Sequence, residues 1–141
     1  TMADYDAARA LWDAVDHLGP VPRVEVEEKL RRDPELFLVA EDAGRVVGTV
    51  MGSYDGRRGW LARLAVVPDR QGEGIARQLV DAVESRMREL GVRRINLLVY
   101  SENAPGNAFW EAAGFPAAGT VVLRAKPLVP DADAADPSGS C

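Results

Sequence analysis

A mixed α/β sheet flanked by helices is the fold class this chain predicts, and two observations carry it. Short apolar runs of strand length, over residues 36–41, 46–54, 60–67 and 94–100, are set among longer segments whose apolar residues recur at three- and four-residue steps. Between the third run and the most regular helical pattern lies a short turn containing Gly72 and Gly74, a strand-to-helix junction.

Each element has a local reason. Residues 2–18 read as a helix: Thr1 suits its N-cap, and Leu11, Val15 and Leu18 form one stripe with Trp12 beside it. Gly19-Pro20-Val21-Pro22 breaks it. Residues 24–32 give a second, shorter helix with strong charge on one side, ended by Asp33-Pro34. The strands over 36–41 and 46–54 form a hairpin about the turn Asp42-Ala43-Gly44-Arg45. A second turn, Asp55-Gly56-Arg57-Arg58-Gly59, leads into the strand over 60–67. Past the Gly-containing turn, Ile75, Leu79, Val83, Met87 and Leu90 bury one helix face, and Gly91 stops the helix. Over 94–100 the near-continuous run Ile95, Leu97, Leu98, Val99 suits an interior strand covered on both faces. A short helix over 105–113 ends at Gly114, and Phe115 opens a last segment whose strand runs through 120–123. Residues 127–141 are rich in Asp, Ala, Pro, Ser and Gly, which predicts a disordered tail. The division expected is one domain over 1–125 and a tail over 126–141.

Composition narrows the function classes. The chain has 141 residues, a formal net charge of −5 and 47% hydrophobic content, enough for a single substantial core. The negative charge argues against a nucleic-acid binder, which shows a basic face, and is compatible with a cationic substrate such as an amine. No apolar run approaches the ~20 residues of a membrane span, and no signal peptide is visible. No metal-ligand set is expected. Cys141, the single cysteine, is the last residue and is read as inert, and a cytoplasmic setting is the simplest reading. His17 is expected at the end of the first helix, where the dipole favours it, and no motif gives it a catalytic role.

The Gly-containing turn carries the chemistry. Small residues let an anion approach the backbone, and the first turn of a helix offers unpaired N–H groups at the positive end of its dipole. Strand, turn and helix N-terminus together make a phosphate site. The alternative is a turn of the same shape with no ligand. The turn lacks the Lys and Ser/Thr of a Walker A loop. Arg77 stands where a dinucleotide fingerprint needs its third glycine, and Glu102 comes later than the roughly 20-residue spacing of a ribose ligand.

The segment resembles motif A of the GNAT acyltransferases, Gln/Arg-x-x-Gly-x-Gly/Ala, as Gln71-x-x-Gly74-x-Ala76. Downstream, Asn103 and Trp110 have the separation at which GNAT proteins place Asn and Tyr, and Glu111, Gly114 and Phe115 complete that pattern. The resemblance covers residues 11–122, and within it residues 36–41 and 48–56 look like the small bacterial YpeA-type branch. It implies a GNAT-type mixed, mainly antiparallel twisted sheet flanked by helices. GNAT chains usually carry a strand before the first helix, so the first strand is expected to be missing here.

The resemblance also implies an activity: transfer of an acetyl group from acetyl-CoA, the co-substrate, directly to an amine through a tetrahedral intermediate. The acceptor is a small-molecule amine, a protein N-terminus or a lysine. Neither nucleic acid nor membrane is an expected partner, and a homodimer is left open. The cofactor arm is expected between the strands over 60–67 and 94–100, paired with the backbone of Leu64, Ala65 and Val66 as an added strand pairs. Backbone N–H groups of Gln71, Gly72, Glu73, Gly74, Ile75, Ala76 and Arg77 are expected to hold the pyrophosphate, with Arg70 and Arg77 near it in charge or else on a solvated helix face. Asn103 is expected to bond the arm, with a helix N-cap as its rival role. Trp110 stands where many members have a proton-donating Tyr; an indole donates a hydrogen bond but is no useful acid, so it either packs against the cofactor or bonds the sulfur. Tyr100 and Glu102 are the strand-end candidates for proton transfer, beside Tyr54 and Asp55, and Asp55 is better read as a turn former. A second reading, favoured by Trp110 and by the lack of a strand carboxylate, is an acyl-CoA-binding module that has lost catalysis.

Overall fold

The computed structural model of the chain describes residues 1–15 and 17–130. Four strands form one sheet in the order β1-β2-β3-β4: β1 Phe37–Asp42, β2 Arg45–Tyr54, β3 Gly59–Val66 and β4 Ile95–Leu97. The first three are antiparallel neighbours, and β4 joins β3 in parallel. The mixed, mainly antiparallel sheet is as the sequence predicts.

Helices cover both faces. α1 (Tyr5–Asp13) and α2 (Arg23–Arg32) lie on one side, where Tyr5, Ala8, Leu11, Trp12 and Val26 meet Val47, Ala65 and Val67. α3 (Ile75–Glu89) lies on the other, its Leu79, Val80, Val83 and Met87 packed with Leu36, Val50, Leu61 and Leu64. α4 (Ala104–Ala112) joins this second core through Trp110. Each Val or Leu buried this completely contributes about 1.5–3 kcal/mol. β2 sits close under α3 because Gly48 and Gly52 face it: a Cβ there would come within 2.9 Å of Leu79 or 2.8 Å of Met87 and Val83.

Three elements differ from the sequence reading. The first helix is shorter, a 3-10 turn over Met2–Asp4 followed by α1, which ends at Asp13. Val15 and Leu18 remain in the core without being helical, so the apolar stripe outlasts the helix. β4 keeps only three of the residues expected of it, because its pairing stops at Leu61↔Leu97. No strand forms among the described residues after Phe115. Val121, Val122 and Leu123 are 73%, 81% and 49% exposed, a three-residue apolar run too short, behind Pro116 and Gly119, to pair by itself. Of the expected tail, residues 127–130 are irregular and exposed; the remainder, with Cys141, lies outside the described residues.

Candidate functional site

β3 parts from the edge strand β4 partway along their length. Their parallel pairing covers Gly59↔Ile95, Trp60↔Asn96 and Leu61↔Leu97, and among the described residues no strand pairs with 62–66 on that side. A bulge accompanies the split. Between Thr49↔Ala65 and Met51↔Ala62, β3 carries one residue more than β2, and Arg63 sits there at φ +56°, left-handed and not glycine. The Arg63 carbonyl accepts from Thr49 Oγ1 at 2.8 Å, and Thr49 Oγ1 accepts from Trp12 Nε1 at 2.9 Å. The Arg63 guanidinium is buried, lies 5.4 Å from the Trp12 ring and donates to the Gly19 carbonyl. Here the bulge bends one wall of an open split and is bolted to the segment between α1 and α2.

At the end of β3, a 3-10 turn over Pro68–Arg70 leads to the Gly-containing loop. Gln71 Nε2 donates to the Val66 carbonyl at 3.2 Å, tying the loop to the strand it leaves. Gly72 and Gly74 have φ of +83° and +84°, which a side chain rarely adopts, and a Cβ on either would meet nothing within 4 Å. The loop is therefore open on the side its glycines face. Gly74 is the N-cap of α3, and the first intrahelical bond runs from Gln78 N to Gly74 O at 3.1 Å, so the N–H groups just before it have no acceptor within the helix. Such a terminus fits the phosphates of CoA.

Surface ion pairs brace this loop. Arg45 grips Asp69 in bidentate fashion at 3.0 and 3.1 Å, and this bond lowers the Asp69 carboxyl below its ordinary range. Arg70 pairs with Glu73 at 2.8 Å and Asp42 at 2.7 Å, and both bonds raise its pKa. The Arg70 and Glu73 side chains thus face each other. Arg77 pairs with Asp81 at 3.2 Å and reaches the Ala112 carbonyl at 3.5 Å.

Across the split, Asn103 caps α4: its Oδ1 accepts from Gly106 N at 3.1 Å. Asn107 Nδ2 donates to the Tyr100 and Asn103 carbonyls, each at 2.9 Å, fixing the end of the β4 segment to α4. Tyr100 is 38% exposed there and Glu102 is exposed. Trp110 is 3% exposed, edge-on to Phe109 and Phe115 at 5.0 and 5.1 Å. Among the described residues nothing accepts from its indole N–H. Asp55 is a turn former: its Oδ1 accepts from the Arg57 and Arg58 N–H groups at 2.8 and 2.7 Å, which lowers its pKa.

The structure therefore brings Leu64–Val66, the loop, the start of α3 and the start of α4 to one end of the sheet. Two site residues were missed. Arg63 is the buried anchor of the bulge; a charge inside the apolar run Leu61 to Val67 was the signal. His17 lies beyond α1, not at its end, and its Nε2 is 3.4 Å from the Leu64 carbonyl on the split wall; no local pattern announces that contact. Among the described residues no group of three or more His, Cys, Asp or Glu could hold a metal, and no helix is long and apolar enough to cross a membrane.

The model of the acetyltransferase (GNAT) family matches residues 5–115, well over half of the chain. The chain belongs to that family. An acetyltransferase of Sodalis glossinidius is 40% identical over 130 residues, covering 91% of this chain and 92% of its own length. In fold the chain is similar to Ard1 from Thermoplasma volcanium, with a TM-score of 0.75 and 24% identity over 81% of this chain and 77% of that one. It is also similar to an aminoglycoside N-acetyltransferase solved in complex with CoA, with a TM-score of 0.72 and 21% identity over 90% of this chain and 96% of that one. As a GNAT protein it is placed among the acetyltransferases, and acetyl-CoA is the co-substrate that membership implies.

Proposed function

We propose that this GNAT protein moves the acetyl group of acetyl-CoA to a primary amine: a small molecule, a protein N-terminus or a lysine. The observation that carries the reading is the split of β3 from β4 beside the open, left-handed Gly72–Gly74 loop at the N-terminus of α3. The stretch of β3 that no strand pairs on the β4 side offers the backbone of Leu64, Ala65 and Val66 to the pantetheine arm, the Leu64 and Val66 carbonyls being faced by His17 and Gln71. The loop from Gln71 through Arg77 offers N–H groups to the pyrophosphate. Acetyl-CoA supplies a thioester whose carbonyl carbon the amine attacks; the C–N bond forms first, giving a tetrahedral intermediate, and the C–S bond then breaks as the thiolate leaves.

The chain's own residues do the rest. Asn103 keeps Nδ2 for the arm while its Oδ1 caps α4. The indole N–H of Trp110 donates to the departing sulfur without surrendering its proton, and a thiol of pKa about 8.5 leaves acceptably on those terms. Tyr100 and Glu102, exposed at the mouth, take the proton lost by the amine or relay it through water. The setting proposed is the cytoplasm, and the branch is the small bacterial YpeA type. The burial of Trp110 where a phenol is usual also supports a second reading, an acyl-CoA-binding module without turnover. Incubation with acetyl-CoA and a panel of amines, followed by free-thiol release, separates the two. Amine-dependent thiol is expected; CoA binding with none from any amine moves the assignment to the module.

A further inference from the structure

The end of the β3–β4 pair opposite the loop is basic, in a chain whose net charge is −5. The turn carrying Arg57 and Arg58 meets the segment carrying Arg93 and Arg94, since Gly59 N donates to the Arg94 carbonyl at 2.9 Å and Gly59 pairs with Ile95. Most arginines elsewhere are neutralised: Arg23, Arg31, Arg45, Arg70, Arg77 and Arg88 each hold a carboxylate. Among the described residues these four hold none within ion-pair distance; Arg58 donates to the Arg57 carbonyl and Arg94 to Asn96 Oδ1. The acids nearby in sequence are Asp55, whose Oδ1 takes the two backbone N–H groups of its own turn, and Glu89 at the end of α3. Four guanidinium groups without an ion-pair partner among the described residues, of which only Arg57 acts electrostatically on a neighbouring carboxylate, Asp55, make this end of an acidic protein a ready site for a carboxylate or phosphate.

Their distance from the split gives the patch a use. Trp60 and Asn96 are register partners between the arginines and the point where the strands part, and Trp60 is 39% exposed. On β2, Ser53 is the register partner of Trp60 and accepts from Lys29 of α2 at 2.9 Å. At about 3.3 Å per residue, the patch lies roughly 7–10 Å along the strands from the opening. We infer that the acceptor is an amine carrying an anionic group about three extended residues from its nitrogen, held by Arg57, Arg58, Arg93 and Arg94 while it crosses Trp60. This rests on the acetyltransferase reading and specifies its substrate class.

The test uses free-amine, C-terminally amidated peptides Ala-Ala-Glu-Glu, Ala-Ala followed by phosphoserine, and neutral Ala-Ala-Gln-Gln, with kcat/KM read from thiol release. An anionic peptide is expected to be favoured at least tenfold, with the carboxylate and phosphate arms saying which anion fits better. The preference should shrink as salt rises from 0.05 to 0.5 M. It should vanish in the quadruple variant Arg57→Gln, Arg58→Gln, Arg93→Gln, Arg94→Gln, whose rate on the neutral peptide stays within twofold of the parent. Equal rates across the three peptides, or a preference that survives in the variant, overturn the inference. Binding of the same peptides, labelled at the C-terminus, to the CoA-loaded protein keeps the two readings apart. Tenfold tighter acidic-peptide binding by the parent than by the variant, with no turnover, sustains the anion site and refutes acetyl transfer. No difference in binding refutes the anion site, whatever the turnover.

Discussion

Arg63 holds a left-handed backbone, at φ +56°, that costs a residue with a Cβ about 1–2 kcal/mol. It is held there by the Thr49 hydroxyl on its carbonyl and by its guanidinium against Trp12 and the Gly19 carbonyl. Arg63→Ala loses the side-chain contacts and keeps the strain, whereas Arg63→Gly loses the contacts and relieves it. Both variants should melt below the parent, with Gly above Ala by the equivalent of about 1 kcal/mol. An Ala variant as stable as Gly would mean that the bulge relaxes and no strain is stored there. Trp110 tests the proton chemistry. Trp110→Tyr and Trp110→Phe both shrink a buried ring and should melt lower. At matched CoA affinity, Tyr should turn over faster than Phe, by no more than the 10²–10⁴-fold general acid help is worth. Equal rates would leave position 110 as a wall of the pocket. At this scale the sequence was legible where a residue's role is local: the Asp55 turn and the Asn103 cap follow from side chains that bond their own backbone neighbours. His17 and Arg63 were not, because each works on a partner more than forty residues away in the chain.

Among elements, the Gly-containing loop carries most of the functional argument. Its two glycines are left-handed and face open space, so a side chain there clashes with nothing in the protein itself. Gly74→Val pays for a positive φ with some stability but should remain folded, and its side chain fills the space the phosphates need. CoA affinity by calorimetry should fall at least tenfold. Unchanged affinity in the folded variant would place the phosphates elsewhere. The elements with strong periodicity, α2, α3 and the β1–β2–β3 meander, were legible because pattern and turn chemistry agree in each. β4 and the end of α1 were not. The near-continuous apolar run Ile95, Leu97, Leu98, Val99 describes burial, but where β4 stops is decided by the bulge in β3 opposite it. Likewise Val15 and Leu18 keep the apolar spacing of a helix while reaching the core from irregular backbone. The exposed run Val121 to Leu123 shows the converse, apolar residues without a neighbour to pair with.

For the whole molecule, the sheet acts as a frame held from both faces, α1 and α2 on one and α3 on the other, with the split opening at one edge of it. The pieces that line the split come from two stretches of the chain, the contiguous run of β3, the loop and the start of α3, and the later α4 cap. A ligand that touches all of them binds only the folded state, so its affinity appears directly as stability. Thermal unfolding with saturating acetyl-CoA, CoA or a nicotinamide dinucleotide therefore addresses the central claim most directly. Both CoA species should stabilise the protein, by about 2.7 kcal/mol at a hundredfold excess over Kd, and the dinucleotide should leave the melting temperature unchanged. No shift with either CoA species, or a larger shift with the dinucleotide, would contradict the assignment of the split and its Gly72–Gly74 loop to acetyl-CoA.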